Sequence, residues 1–470
     1  MSRTDVFSIE VLDLADDLRQ LDVKLYLDSG NLRFSAPKGV MNDALIDRLK
    51  THKPELIRLL EHLESAENQL NESIPTTDGS QGYPLTFAQQ RFWFLDQLAG
   101  GNSPIYNMLP IAMTVDGPLH LDALQAALNA LIERHPGLSN KFTIEGDEPR
   151  QWPGQGGIVP IVHYDLSGLA LSGLKNYESE LGKIILDEGE HPFDLQKGGP
   201  LLRLGLVKLS DLRHVMILTL HHIIADGWSL GILVAEFSQY YEAALKKRTP
   251  DLDQIPIQYG DFANWERKRL NKTLLHRYLH HWKKDLSGAP TILDLPTDRP
   301  RPRLQTFNGR THAFMIDREL AQKVRKCANE HGATPFMVLL SIFGVLLGRY
   351  SRQDDLVVGS PMSVRAHSDC DPIIGLFLNT IPLRVDLTES PTFSEVLNRL
   401  KKRTLKAFEY GEVPFDELLQ ALNIDRSLNH TPLFQVLFAL QNAPVGKLDS
   451  GDLTITPIEP ENSKAPFDLV

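Results

Sequence analysis

A run of apolar and β-branched residues, Val215-Met216-Ile217-Leu218-Thr219-Leu220, breaks into His221-His222-Ile223-Ile224-Ala225-Asp226-Gly227-Trp228-Ser229. The first six read as a buried strand. From Ser229 onward, Leu230, Leu233, Val234, Phe237 and Tyr241 recur at helical spacing. A strand therefore ends in two histidines, turns at Gly227 and enters a helix. Alternation along a strand sends His221 and His222 to opposite sides, so one can face a cavity while the other packs inward. Asp226, four residues past His222, is near enough in the turn to brace it without being a catalytic partner. A neutral imidazole at such a place can accept a proton from an amine or hydroxyl attacking an acyl carbon, or hold that group by a hydrogen bond. A bare histidine pair is also an ordinary polar strand end, so the surrounding sequence decides between the two.

The chain has 470 residues, room for two or three domains and a large core. Its formal net charge of -11 argues against nucleic acid as the main partner. Two cysteines, Cys327 and Cys370, provide neither a disulfide framework nor a thiolate metal cluster. No apolar run approaches membrane-spanning length, and Met1-Ser2-Arg3-Thr4-Asp5 lacks the basic-then-apolar form of a signal peptide. The expectation is a cytoplasmic protein with no nucleic-acid, membrane or metal partner.

Residues 1–65 read as a small separate unit. Val11, Leu14, Ala15, Leu18 and Leu21 give a helical face; Val23 to Leu27 and Asn31 to Ser35 alternate around Asp28-Ser29-Gly30 as a hairpin; two short helices follow Pro37-Lys38-Gly39. The order is αββαα. Residues 66–82 are polar, with only Leu70 and Ile74 to bury, and read as a linker. Phe87, Arg91, Phe94, Leu95 and Leu98 then fall on neighbouring faces of an aromatic-rich helix that reads as core. Leu121 to Arg134 is a second amphipathic helix. Asp261 reads as a helix N-cap. Thr334-Pro335 caps and opens a helix that is apolar nearly all round and reads as buried. Asp355 to Gly359 and Phe434 to Phe438 read as strands.

The string from His221 to Gly227 resembles the His-His-x-x-x-Asp-Gly signature of the condensation domains of nonribosomal peptide synthetases. Six further stretches resemble that family's motifs in the family's order. They are Ala88-Gln89-Gln90-Arg91-Phe92-Trp93; Arg134-His135 with Leu138 and Phe142; Tyr259 to Trp265; Gly375-Leu376-Phe377-Leu378-Asn379-Thr380 with Arg384; Val413-Pro414-Phe415-Asp416; and Arg426 with Pro432-Leu433. Three departures stand out: Ser139-Asn140 where Arg-Thr is usual, Tyr410 where histidine is usual, and a differing run from Ser427 to Thr431. The αββαα unit resembles the N-terminal docking domains of the tubulysin-synthetase type.

The resemblance implies an α/β (α+β) fold of two chloramphenicol-acetyltransferase-like lobes in a V-shaped pseudo-dimer, behind a docking domain. The boundaries it suggests are 1–65 for docking, 66–82 for the linker, 83–255 for the N-terminal lobe and 256–470 for a C-terminal lobe truncated at its end. It implies peptide-bond formation between acyl and aminoacyl thioesters carried on phosphopantetheine arms, with no bound cofactor. His222 is the expected base or positioning group, with His221 behind it and Gly227 N–H as oxyanion donor. Asp226 is expected to pair with Arg365, or failing that Arg384. Arg91, Trp228, Ser229, Asn379 and Thr380 are tunnel or motif residues. Through strand addition, helped by Lys24, Tyr26, Arg33 and Lys38, the hairpin would receive the acidic C-terminal tail of an upstream synthetase protein. Donor and acceptor carrier proteins and a downstream adenylation domain in the same chain are the other expected partners. Two alternatives remain: a catalytically degenerate recruitment module, or an epimerisation domain sharing the histidine motif.

Overall fold

The computed structural model describes residues 7–28, 30–98, 100–101, 107, 110–171, 176–425, 427, 429–441, 448–450, 452–458 and 465–470. Ser29 in the hairpin turn, Arg426 in the last motif and residues 1–6 lie outside the described residues. The N-terminal unit comprises α1 (Ile9–Gln20), β1 (Lys24–Asp28), β2 (Asn31–Ser35), α2 (Asp43–Thr51) and α3 (Lys53–Asn71). Its own small core gathers Val11, Leu14, Leu18, Leu49, Leu56 and Leu59, with Leu25 and Leu32 of the hairpin packed on it. Because strand side chains alternate, Lys24, Tyr26 and Arg33 take the opposite, outer face; Tyr26 stands directly across from Arg33.

The N-terminal lobe follows with β3 (Tyr83–Pro84), α4 (Phe87–Leu98), β4 (Ile111–Asp116), α5 (Leu121–Arg134), β5 (Lys141–Glu145), β6 (Glu148–Trp152) and β7 (Ile161–Asp165). Then come α6 (Ser167–Leu171), α7 (Asn176–Glu190), β8 (Leu202–Ser210), β9 (Arg213–Leu220) and α8 (Gly227–Leu245). The C-terminal lobe supplies α9 (Tyr259–Arg269), α10 (Lys272–Asp285), α11 (Arg318–Glu330), α12 (Pro335–Ser351), β10 (Asp355–Ser363), β11 (Leu378–Asp386), α13 (Phe393–Glu409) and α14 (Phe415–Ala421). Two late strands, β12 (Leu448–Ser450) and β13 (Leu453–Ile458), cross back: the main sheet runs β12-β13-β4-β9-β8-β7. The stretch expected to be wholly C-terminal lobe therefore completes the sheet of the other lobe.

β9 lies inside that sheet, between β4 and β8. Met216 and Leu218 pack with Leu124, Leu128 and Leu233 of α5 and α8. Val215 and Ile217 pack on the other face with Leu181 and Ile185 of α7. A strand covered on both faces has no polar side to keep, which is why its sequence is a continuous apolar run.

Several local expectations change. Helix α3 runs on to Asn71, and the segment beyond it is pinned rather than free. Ile74 is buried with Tyr259, Phe262, Trp265 and Phe377, and its N–H donates to Asp369 Oδ2 at 3.0 Å. The Thr77 N–H and hydroxyl both donate to Asp261 Oδ1, at 2.8 and 3.0 Å. Helix α4 buries Gln89, Trp93 and Asp96 and leaves Phe94 and Leu98 exposed. The apolar stripe was the wrong guide because the buried side carries a polar network. Asp261 sits in the first turn of α9; Gln258 is the N-cap, and Asp261 Oδ2 accepts its N–H at 2.9 Å. Helix α12 is buried on one side only, with Ile342, Leu346 and Tyr350 exposed. Residues 434–438 make only single bridges, Leu437 to Gly359 and Val436 to Leu469, too few to extend as a strand.

Candidate active site

β9 ends at Leu220, and His222–Ile224 form one turn of 3-10 helix before Asp226 caps α8. The turn sends the two histidines to different partners, His221 to Phe193 and His222 to Phe92. His221 is fully buried; its Nδ1 accepts the Ile223 N–H at 3.1 Å and its ring stands edge-on to Phe193. Burial, with His222 adding a smaller like-charge effect, drives its pKa down to about 3. His221 is therefore a neutral structural group at physiological pH. Its Nε2 is buried with no partner among the described residues.

His222 is half-buried and stacks on Phe92, with ring centroids 5.0 Å apart and planes at 25°. Its Nδ1 lies 3.1 Å from the Ala225 carbonyl oxygen. A carbonyl only accepts, so Nδ1 carries the proton and Nε2 keeps the free lone pair. Burial lowers this pKa as well, keeping the ring neutral and able to take a proton. The brace on His222 is thus Ala225, not Asp226. Gln89 supports the same turn: its Nε2 donates to the Ile223 carbonyl at 3.2 Å, inside a buried network with Gln151.

Asp226 is committed elsewhere. Its Oδ1 accepts from the Ser229 N–H at 2.8 Å, and its Oδ2 from the Phe377 N–H at 3.0 Å, which belongs to the C-terminal lobe. Arg365 Nη2 lies 3.6 Å from Asp226 Oδ1 and donates to Ser229 Oγ at 3.1 Å. The Arg365 guanidinium also donates to the Ile373 and Cys370 carbonyls and sits over the Phe377 ring at 3.9 Å. Arg384, the second choice, is not the partner: it forms a two-point pair with Asp355, at 2.9 and 2.7 Å, joining β10 to β11.

Ser229 lies at the centre of this junction. Its hydroxyl is 2.7 Å from both Asp226 Oδ1 and the Gly375 carbonyl, and it accepts the Gly375 N–H at 3.1 Å. One hydroxyl proton serves one of the two acceptors at a time. Tyr259 closes the other side, donating to the Leu376 carbonyl at 2.6 Å. A Cβ at Gly375 would come within 1.9 Å of the Tyr259 ring, so only glycine fits there. A Cβ at Gly227 would meet no atom within 4 Å. Gly227 opens α8, so its N–H has no intrahelical partner and the backbone there is reachable from open space.

The remaining expected residues scatter around this centre. Trp228 is exposed, its Nε1 donating to the Asp371 carbonyl at 3.2 Å. Arg91 lies 4.0 Å from Asp416 and over the Phe415 ring, bridging α4 to α14. Asn379 donates to the Gly411 and Val413 carbonyls, at 2.7 and 2.6 Å. Thr380 is half-buried on β11 opposite Pro361. The docking-unit residues belong to a separate surface: Lys24 and, in the turn after β2, Lys38 are exposed, Tyr26 is half-exposed, and Arg33 faces Asp28 at 3.6 Å. Among the described residues, no group of three or more histidine, cysteine or acidic side chains could hold a metal ion, and no single helix is long and apolar enough to cross a membrane. Gln89, Phe92, Tyr259 and Phe377 were not singled out as site residues. A buried glutamine and an aromatic beside a histidine turn are visible only once α4 is placed against it.

Comparison with known proteins agrees with this geometry. The condensation-domain family model matches residues 80–470, and the TubC N-terminal docking domain matches residues 11–62. Malpinin synthetase of Mortierella alpina is 38% identical over 88% of this chain, which spans 5% of that protein. Tyrocidine synthase 2 of Brevibacillus parabrevis is 36% identical over 90% of the chain, which spans 11% of it. Among solved structures, the X-domain from teicoplanin biosynthesis superposes with a TM-score of 0.73 at 25% identity, covering 84% of this chain and 86% of that one. The first condensation domain of the calcium-dependent antibiotic synthetase shares the fold, with a TM-score of 0.64 at 18% identity over 82% of this chain and 86% of its own. The chain belongs to the condensation-domain family, the peptide-bond-forming acyltransferases of nonribosomal peptide synthetases, and carries a TubC-type docking domain ahead of it.

Proposed function

We propose that this chain joins an acyl or peptidyl group, delivered by an upstream synthetase protein, to a downstream aminoacyl group, both carried as thioesters on phosphopantetheine arms. The observation that carries the reading is the His222 tautomer: Nδ1 is tied to Ala225, and Nε2 is neutral and free to accept. The acceptor amine attacks the donor thioester carbon, the C–N bond forms, and the C–S bond breaks. The ammonium proton passes to His222 Nε2 and on to the departing thiolate. Gly227 N–H faces the developing oxyanion. Holding both arms in register supplies a further share of the rate. Asp226, Arg365, Arg91, Asn379 and Thr380 shape the passage and do not touch the reacting atoms.

The hairpin's outer face, with Lys24, Tyr26 and Arg33, and Lys38 in the turn that follows it, receives an acidic tail of the upstream protein. A downstream adenylation domain loads the acceptor, and the assembly works in the cytoplasm. The test is to mix the chain with two separately loaded carriers and weigh the products. A new amide on the acceptor carrier supports condensation. Inversion of the donor α-carbon without transfer would point to epimerisation, and carrier binding with no chemistry would leave a recruitment module.

A further inference from the structure

The docking unit touches the C-terminal lobe through its helices while its hairpin points elsewhere. Asp13 of α1 lies 3.1 Å from His280 Nε2 and 3.5 Å from Lys284 Nζ, both on α10. Further along α1, Arg19 pairs with Glu409 at the end of α13 and lies 3.4 Å from the Tyr410 hydroxyl. Tyr410 is itself fixed. Its ring stacks on His281 at 4.0 Å and meets Tyr278 edge-on at 5.4 Å, and its carbonyl accepts the Trp282 indole N–H at 2.9 Å. This is the position where the family usually has histidine; here the phenol reaches the docking unit. Beside these pairs, Leu59, His62 and Leu63 of α3 line a small cavity together with Thr273, Leu274 and Arg277 of α10.

The second, independent observation is the connection. Residues 72–82 are polar enough to be a free tether, yet Ile74 is buried and Thr77 is held by Asp261. Both ends of the unit are therefore attached, α1 and α3 to the lobe and the exit segment to α9. The hairpin is packed through Leu25 and Leu32 onto its own helices and leaves Tyr26 half-exposed.

We propose that the docking unit is seated on α10 and α13 as a fixed platform, so that the donor carrier of the upstream protein is presented to the condensation lobes from one set position. The proposal rests on the docking reading above and adds orientation to it. A floppy tether would supply only local concentration; a seated platform also restricts approach, and that gain is lost when the seat is broken.

The experiment uses the chain with one acyl-loaded carrier protein in two forms, with and without the last residues of the upstream protein fused as a tail. Two variants break the seat away from the catalytic centre, one from each side: Asp13→Lys with Arg19→Glu on α1, and Lys284→Asp with Glu409→Arg on the lobe. Limited proteolysis should open residues 72–82 in both. Affinity for the tail peptide alone should be unchanged. Turnover with the tailed donor should fall roughly tenfold, while turnover with the untailed donor stays the same. Adding Lys284→Asp and Glu409→Arg to the first variant should restore it. The proposal is overturned if proteolysis shows no loosening, if tailed turnover survives an opened seat, or if peptide affinity falls in step with turnover. A wild-type chain that gains nothing from the tail sinks the docking reading, and the platform with it.

Discussion

His221 and His222 are adjacent in sequence and opposite in role, and pH separates them. Folded His221 takes no proton until about pH 3, whereas an unfolded imidazole does so near 6.5. Below pH 6.5 the unfolded state therefore binds more protons than the native state. Stability is complete above that value and is lost as pH falls toward 3, by about 1.4 kcal/mol per pH unit for one such group. Urea unfolding at pH 7, 6 and 5 should show this slope. His221→Asn, which keeps an acceptor for the Ile223 N–H, should flatten it by one proton; an unchanged slope would mean His221 is solvated and titrates normally. The same lowered pKa at His222 keeps its base form through the neutral range, so turnover should fall only on the acid side of the usual imidazole value. The strand, the turn and the divergence of the two rings were legible in the sequence, because the apolar run, Gly227 and strand alternation are local signals. The atom bracing His222 was not, since Ala225 and Asp226 lie three and four residues on and only the turn geometry selects the Ala225 carbonyl.

The elements that matter most are the start of α8 and the segment leading into β11, which Ser229, Asp226 and Arg365 lock together. Asp226→Ala removes the anion and leaves Arg365 buried and uncompensated, a cost of about 3–5 kcal/mol. It should lower the melting temperature or solubility at least as much as the rate; a variant with an unchanged melting temperature and lost turnover would contradict the structural role. Two glycine substitutions give a sharper contrast. Gly375→Ala drives a methyl into the Tyr259 ring and should destabilise the chain strongly. Gly227→Ala meets open space and should change stability by about 1 kcal/mol or less. Comparable melting curves for the two would mean the lobes are not closed at Gly375. The motif around Gly375 was readable as a motif, yet its reason was not: Tyr259 and Phe377 are far apart in the chain and meet only in the fold.

At the scale of the whole molecule, the two lobes share strands, and the docking unit shares an anchored connection with them. Ile74→Ala should cost about 2–5 kcal/mol if that connection belongs to the common core. A calorimetric trace indistinguishable from wild type would place it outside. Local composition could not reveal this, because the partners of Ile74 and Thr77 lie 295 and 184 residues away. The return of β13 to the N-terminal sheet was hidden for the same reason, its register being set against β4. The proposed chemistry depends on one imidazole with a free Nε2 beside two thioesters. The direct measurement is single-turnover amide formation between two loaded carriers by wild type and by His222→Gln, with carrier binding measured in parallel. A fall of roughly 10²–10⁴-fold with unchanged carrier binding and melting temperature is the expected result. Equal rates in the two proteins would show that no proton passes through His222.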